Sequence, residues 1–217
     1  MSDVFHEVDE EVRRERLQKL WDRWGNYILA AAVLIVVAIA GWRAWEWREQ
    51  KRAQEAGAGF ETALDLSRAG KHDEAEAKFT DLAKVSPQGY RTLALFNGAA
   101  ELAVRDKAGA VRAYDAIAAD GHMGQPLRDL AAVRAGLLLI DTSPYADLQG
   151  RLEPATAADR PFRHTARELL AVSAWRNGDL ATARRWIDMI MADNETPAGT
   201  RSRVEMLMAL ADAHEKG

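Results

Sequence analysis

Catalysis needs polar side chains that converge, and the sequence supplies few arrangements that could do so. The five histidines, His6, His72, His122, His164 and His214, lie far apart, and none joins a His-Glu-x-x-His pairing that would set two metal ligands on one helical face. Each reads as a surface or turn histidine. Gly57-Ala58-Gly59 lacks the third glycine and the preceding strand of a dinucleotide-binding turn, and no glycine-rich loop runs into Lys-Ser or Lys-Thr to cradle phosphate. No serine occupies a Gly-x-Ser-x-Gly elbow, and the absence of cysteine removes thiol nucleophiles, disulfides and thiolate metal sites together. The expectation is a non-enzymatic protein with no cofactor, no metal and no small-molecule substrate.

The elements available to position anything are helices. Ala, Leu, Arg and Glu are abundant, and no stretch alternates with period two for long enough to make a strand. With 217 residues, 48% apolar and 29% charged, the chain suits one anchor and one all-α domain. The formal net charge of -4 excludes the basic surplus that marks a nucleic-acid binder.

Between Arg23 and Arg43 no charged residue interrupts the run from Trp24 to Trp42. As a helix this run is roughly 28 Å long, which matches the hydrocarbon core of a bilayer. Five of the seven tryptophans, Trp21, Trp24, Trp42, Trp45 and Trp47, flank it as an interfacial belt would. Two rival readings are a cleaved signal, because Ala38-Ile39-Ala40 has the small-x-small form of a cleavage site, and a buried core helix. The long acidic leader and the tryptophans beyond that point favour the anchor. Ahead of the span Leu17, Leu20, Trp21 and Trp24 share one helical face, either lying on headgroups or simply extending the anchor. Five basic residues precede the span and four follow closely, so charge alone barely orients it.

The remainder repeats. Gly70 to Phe79 supplies a turn, a small residue at Ala75 and a bulky one four positions on, with Pro87 closing the unit. This is the pattern of a tetratricopeptide-like (TPR-like) hairpin. Ala110 with Tyr114 and Ala183 with Ile187 repeat it, Gly98 falls where a first helix needs a small residue, and Ala146 fills the gap to give steps of 35, 36 and 37. Asp73 is expected to cap the second helix of the first repeat, Thr196 before Pro197 to open the last helix, and Gly57-Ala58-Gly59 to act as a hinge. In this register the inner face carries Phe60, Leu64, Leu95, Leu102, Leu138, Glu168, Val172 and Trp175. These are either packed core or an apolar groove for a partner segment, and seven of them (Phe60, Leu64, Leu95, Leu102, Glu168, Val172 and Trp175) are the candidate partner-binding residues.

The opening Asp3-Val4-Phe5-His6-Glu7-Val8-Asp9-Glu10-Glu11, the Arg13-Arg14-Glu15-Arg16 cluster, Leu20-Trp21-Asp22-Arg23-Trp24-Gly25-Asn26-Tyr27 and Gly41-Trp42-Arg43 resemble the YfgM-like proteins. Those are bacterial ancillary subunits of the Sec translocon with a TPR-like periplasmic domain. The resemblance implies association with the SecYEG channel and with periplasmic chaperones, no catalytic residues, and single-pass residence in the bacterial inner membrane with a cytoplasmic N-terminus. The expected organisation is a cytoplasmic amphipathic segment over 1–24, a transmembrane helix over 25–42, a helical stalk over 43–59 and a TPR-like helical repeat domain over 60–217. An envelope or cell-division organiser that uses the same surface without the translocon is the alternative.

Overall fold

The computed structural model describes the backbone of residues 3–215 and the side chains of Trp21 and of residues 23–210. Among these the regular elements are all helical: α1 (Asp3–Arg68), α2 (His72–Val85), α3 (Gln88–Leu102), α4 (Lys107–Ala119), α5 (Gln125–Leu139), α6 (Tyr145–Leu152) with a 3-10 turn at Glu153–Thr156, α7 (Arg163–Arg176), α8 (Leu180–Ala192) and α9 (Ala198–Glu215). The chain forms two compact units that meet at Glu55 and Ala56.

In the first unit the apolar run is helical and its side chains are exposed, with no described residue burying them. Ile28, Leu29, Val33, Leu34, Ile35, Val36, Val37 and Ile39 are all exposed, around the whole circumference of the helix. An apolar surface this extensive is not sustained in water, whereas a helix that satisfies its own backbone groups is stable in lipid. Paired aromatics flank it, Trp24 with Tyr27 at 5.8 Å and Trp42 with Trp45 at 5.6 Å between ring centroids. The side chains of Leu17 and Leu20, half of the expected amphipathic face, lie outside the described residues.

The second unit is a stack of helical hairpins, the end of α1 with α2, then α3 with α4, α5 with α6, and α7 with α8, closed by α9. Each first helix buries a small residue at an equivalent place, Ala63, Gly98, Gly136 and Ala171. Twelve positions later each second helix buries Ala75, Ala110, Leu148 and Ala183, and four further on Phe79, Tyr114, Leu152 and Ile187. The steps are therefore 35, 38 and 35. Ala146, expected in this series, is exposed at the start of α6, so the register there is two residues later. Leu148 and Leu152 fit because the volume conceded by glycine on the facing helix is filled by leucine. A Cβ on Gly136 would lie only 3.1 Å from the Leu152 methyls. Leu138, expected on the inner face, packs half-buried against the core of Val111, Tyr114 and Ile117.

Buried clusters join each hairpin to the next first helix. Ala94 of α3 completes the core of Ala63, Ala75, Phe79 and Leu82, and Ala131 and Ala135 of α5 complete that of Val111, Tyr114 and Ile117. Stability therefore accumulates between neighbours, as in a solenoid.

Two of the hairpin turns are Schellman motifs. Gly70 (φ +74°) and Gly178 (φ +80°) are left-handed, and the amides of Lys71 and Asp179 reach back to the carbonyls of Leu66 and Ala174. A side chain there is strained, most of all a β-branched one. Gly70→Val is expected to cost about 1–2 kcal/mol, read as a lower urea midpoint, while Gly70→Asn, which tolerates this backbone, loses less. Asp106 and Asp179 cap α4 and α8 by accepting from the amides of Gly109 (2.8 Å) and Thr182 (2.9 Å).

Three local expectations are corrected. Asp73 lies inside the first turn of α2, where it pairs with Arg105 at 2.9 Å, and the residue at the cap is Lys71. Thr196 donates its hydroxyl to the Ile190 carbonyl at 2.7 Å behind it, so it closes α8 and leaves α9 uncapped by that group. Gly57 and Gly59, expected as a hinge, are helical. Their missing side chains admit the Tyr90 hydroxyl and a Leu82 methyl, each of which would lie 2.8 Å from an added Cβ.

Asp193, at the end of α8, gathers the buried charge of the fourth repeat. It accepts from Arg163 Nε at 2.9 Å and Arg167 Nη1 at 3.1 Å, and Arg167 Nε also donates to the Thr156 carbonyl at 3.0 Å. The Arg163 hydrogen bond holds the Asp193 carboxyl well below the usual carboxylate range. His164 beside it is pushed below its ordinary value, first by burial and then by the Arg163 charge. Its Nδ1 sits 3.1 Å from the Thr196 hydroxyl, whose proton is already directed at Ile190, so Nδ1 is the donor of that pair. Both shifts act in one direction. The unfolded chain protonates His164 near pH 6.5, and Asp193 near 3.8, before the folded one does, so stability falls as pH drops through each value in turn. Melting temperature is expected to decline from pH 7 to 5 in the native chain, with a flatter profile over that window in His164→Gln.

Candidate functional site

The arrangement closest to a catalytic one is Ser67, Glu101 and His72. Ser67 donates to one carboxylate oxygen of Glu101 at 2.6 Å, and His72 Nδ1 meets the other at 2.7 Å. Nucleophilic catalysis would need the imidazole between hydroxyl and carboxylate. Here the carboxylate takes both, so the three residues fasten the first hairpin to α3. Among the described residues no three His, Asp or Glu side chains gather as a metal site.

What the second unit does present is a groove of about 550 Å³ between α2 and α3, closed on one side by Ala113 of α4. The short Ser86-Pro87 link makes α2 and α3 antiparallel, so Lys84 and Arg91 share one end and Glu76 and Leu102 the other. The floor is built from small residues, Ala83, Ala94, Gly98 and Ala99, which leave space where larger side chains would fill it. Leu95 and Leu102 form its aliphatic walls. A Cβ on Gly98 would lie 3.4 Å from the Phe79 Cβ, an ordinary contact, so the glycine keeps α3 close to α2 without being the sole residue that fits there.

The polar rim is almost wholly self-satisfied. Glu76 accepts from Arg105 at 3.1 Å and from the Thr80 hydroxyl at 3.0 Å, and Lys84 pairs with Asp81 at 2.9 Å. Arg91 is the exception: among the described residues its guanidinium has no hydrogen-bond or ion-pair partner. It also lines a second, more polar hollow of about 360 Å³ with Ser86, Gln88, Thr92, Asp120, His122 and Met123.

The seven candidate partner-binding residues are all half-buried, and they fall in three places. Leu95 and Leu102 are brought together in the groove. Phe60 and Leu64 pack on the first core, with the Phe60 ring 5.3 Å from Phe79 and 6.1 Å from Tyr90. Glu168, Val172 and Trp175 lie on α7 towards α9. Val172 and Trp175 pack on Ile187, Ile190, Val204 and Leu207, and Glu168 receives Arg203 Nη2 at 2.7 Å, a contact that holds Arg203 more firmly charged. Sequence reasoning singled out Gly98 but missed Arg91 and the floor residues Ala83, Ala94 and Ala99. The floor had a signal on α3, where Ala94 and Gly98 are four residues apart with Ala99 beside them; the lone arginine had none.

A family model described as a tetratricopeptide repeat-like domain matches residues 18–207. No curated protein and no solved structure matches the chain. That match covers most of the chain, and the hairpin register found in the structure runs through it. The chain therefore belongs to the tetratricopeptide repeat-like domain family.

Proposed function

We propose that this protein is a membrane-anchored docking scaffold of the bacterial inner membrane, an ancillary subunit of the Sec translocon that links the channel to periplasmic chaperones. The observation that carries the reading is the pairing, in one chain, of an uncovered bilayer-length apolar helix with a repeat domain of an interaction-scaffold family. The YfgM-like residues before and after the span support the translocon assignment, a cytoplasmic N-terminus and a periplasmic repeat domain. Residues 25–42 form the span, 43–59 the stalk and 60–217 the docking domain in this reading.

Tethering serves such a function directly. Confinement to the membrane raises the local concentration of scaffold around its partner, so individually weak contacts through Leu95, Leu102 and their neighbours suffice. The test is crosslinking in intact membranes followed by solubilisation and recovery of the translocon. The chain is expected among the crosslinked products of the channel; its absence there, with crosslinks to division or envelope proteins instead, overturns the assignment.

A further inference from the structure

We infer that the groove between α2 and α3 takes a partner segment that combines aliphatic side chains with an acidic side chain placed to meet Arg91. The inference rests on the docking reading above and names the chemistry of what docks.

Three observations lead to it. The floor of Ala83, Ala94, Gly98 and Ala99 between the Leu95 and Leu102 walls is apolar and roomy, at about 550 Å³. This is large enough for two aliphatic side chains and within the ~300–1,000 Å³ range of ligand sites. From Arg91 to Leu102 the groove follows about three turns of α3, roughly 16 Å, the reach of a short helical or extended segment. The charges on its rim are unequal. At the Leu102 end Arg105 is shared between Glu76 and Asp73, so that end offers no free cation; at the other end Lys84 has the exposed Asp81, one turn away on its own helix, and Arg91 has no partner among the described residues. Arg91 is therefore the groove-lining cation left without a partner among the described residues. Complementarity asks for a carboxylate at that end and none at the other. A guanidinium takes both oxygens of a carboxylate, which fixes the direction in which the segment lies.

The test uses the full chain in detergent micelles and fluorescent twelve-residue peptides with blocked ends. One peptide carries two leucines four residues apart with a glutamate one turn before the first, and a second has glutamine in place of the glutamate. The glutamate peptide is expected to bind about tenfold more tightly, the size of one charge-assisted hydrogen bond. In Arg91→Gln the two peptides should bind alike, and Ala83→Phe, which fills the groove from its floor, should weaken both. Arg91 is exposed, so Arg91→Gln spares the fold; Ala83 packs half-buried beside the first core, so an unchanged circular dichroism spectrum is required of Ala83→Phe.

Equal binding of the two peptides to the native chain, or a glutamate preference that persists in Arg91→Gln, overturns the proposal, as does the binding of neither peptide. A third peptide, with glutamine and a free C-terminal carboxylate, separates sources: if it alone gains affinity through Arg91, the site reads chain ends and the acidic side chain is wrong. These outcomes stand apart from the translocon assignment. A chain that fails every peptide yet crosslinks to the channel retains its proposed function and loses this groove; one that binds the glutamate peptide but never meets the channel retains the groove and loses the assignment.

Discussion

Phe79→Ala is expected to destabilise the repeat domain by about 3–5 kcal/mol, the usual cost of truncating a fully buried aromatic. Phe79 is completely buried, its ring packs 5.3 Å from Phe60, and its Cβ is the closest neighbour of Gly98 on α3. Loss of the ring therefore empties the first core and loosens the contact with the second hairpin. The figure is a large fraction of the ~5–15 kcal/mol that holds an ordinary domain together. Urea unfolding of the full chain in detergent reads the effect, because the apolar helix stays in the micelle while the domain unfolds. Phe60→Ala, at a half-buried site, is expected to cost less than half as much; equal losses would mean that the two rings are not divided between core and rim as described.

The second large effect concerns the span. Ile28, Leu29, Val33, Leu34, Ile35, Val36, Val37 and Ile39 each favour insertion by ~0.3–0.6 kcal/mol, together about 2–5 kcal/mol. An arginine near the centre of a spanning helix costs ~2.5–3.5 kcal/mol. Leu34→Arg with Val37→Arg thus costs about 5–7 kcal/mol and outweighs the whole favourable sum. The double variant is expected to leave the membrane fraction on alkaline carbonate extraction while its repeat domain stays folded, since both positions lie in the first unit. Leu34→Val keeps the segment apolar and should remain in the pellet. Persistence of the double variant in the pellet would mean that something other than this helix holds the protein to the membrane.

Much of this was readable in the sequence, and the rest was hidden for identifiable reasons. Ala75 with Phe79, Ala110 with Tyr114, and Ala183 with Ile187 announce their hairpins, because a helix that lets its partner approach needs a small residue and a bulky one four later on the same face. The third repeat misleads. Its small residue sits on the other helix, at Gly136, and its second helix is only eight residues long before a 3-10 turn, so an exposed alanine at 146 fell into the expected spacing by chance. Neither expected cap forms, because Asp73 and Thr196 are drawn to Arg105 and Ile190; the side chains that do cap are Asp106 and Asp179. Gly57-Ala58-Gly59 reads as a breaker in a linear chain, and only the arrival of Tyr90 and Leu82 from distant sequence shows that these glycines admit close packing. The cluster around Asp193 was invisible for the same reason, since Arg163 and Arg167 meet it from thirty and twenty-six residues away. At the groove, Leu95 and Leu102 were legible from helical periodicity. The unpaired state of Arg91 depends on which acids the fold brings near it, which no local pattern reports.

The account depends most on where the chain lies after synthesis. Cells expressing the protein with a C-terminal tag would be fractionated, the membranes washed with alkaline carbonate, and the tagged chain sized by intact mass. We expect a single species that retains Trp24 to Trp42 and stays in the washed pellet until detergent is added. A species that starts at Gly41 and appears in the soluble fraction would contradict the account, whatever partners the free repeat domain then proved to bind.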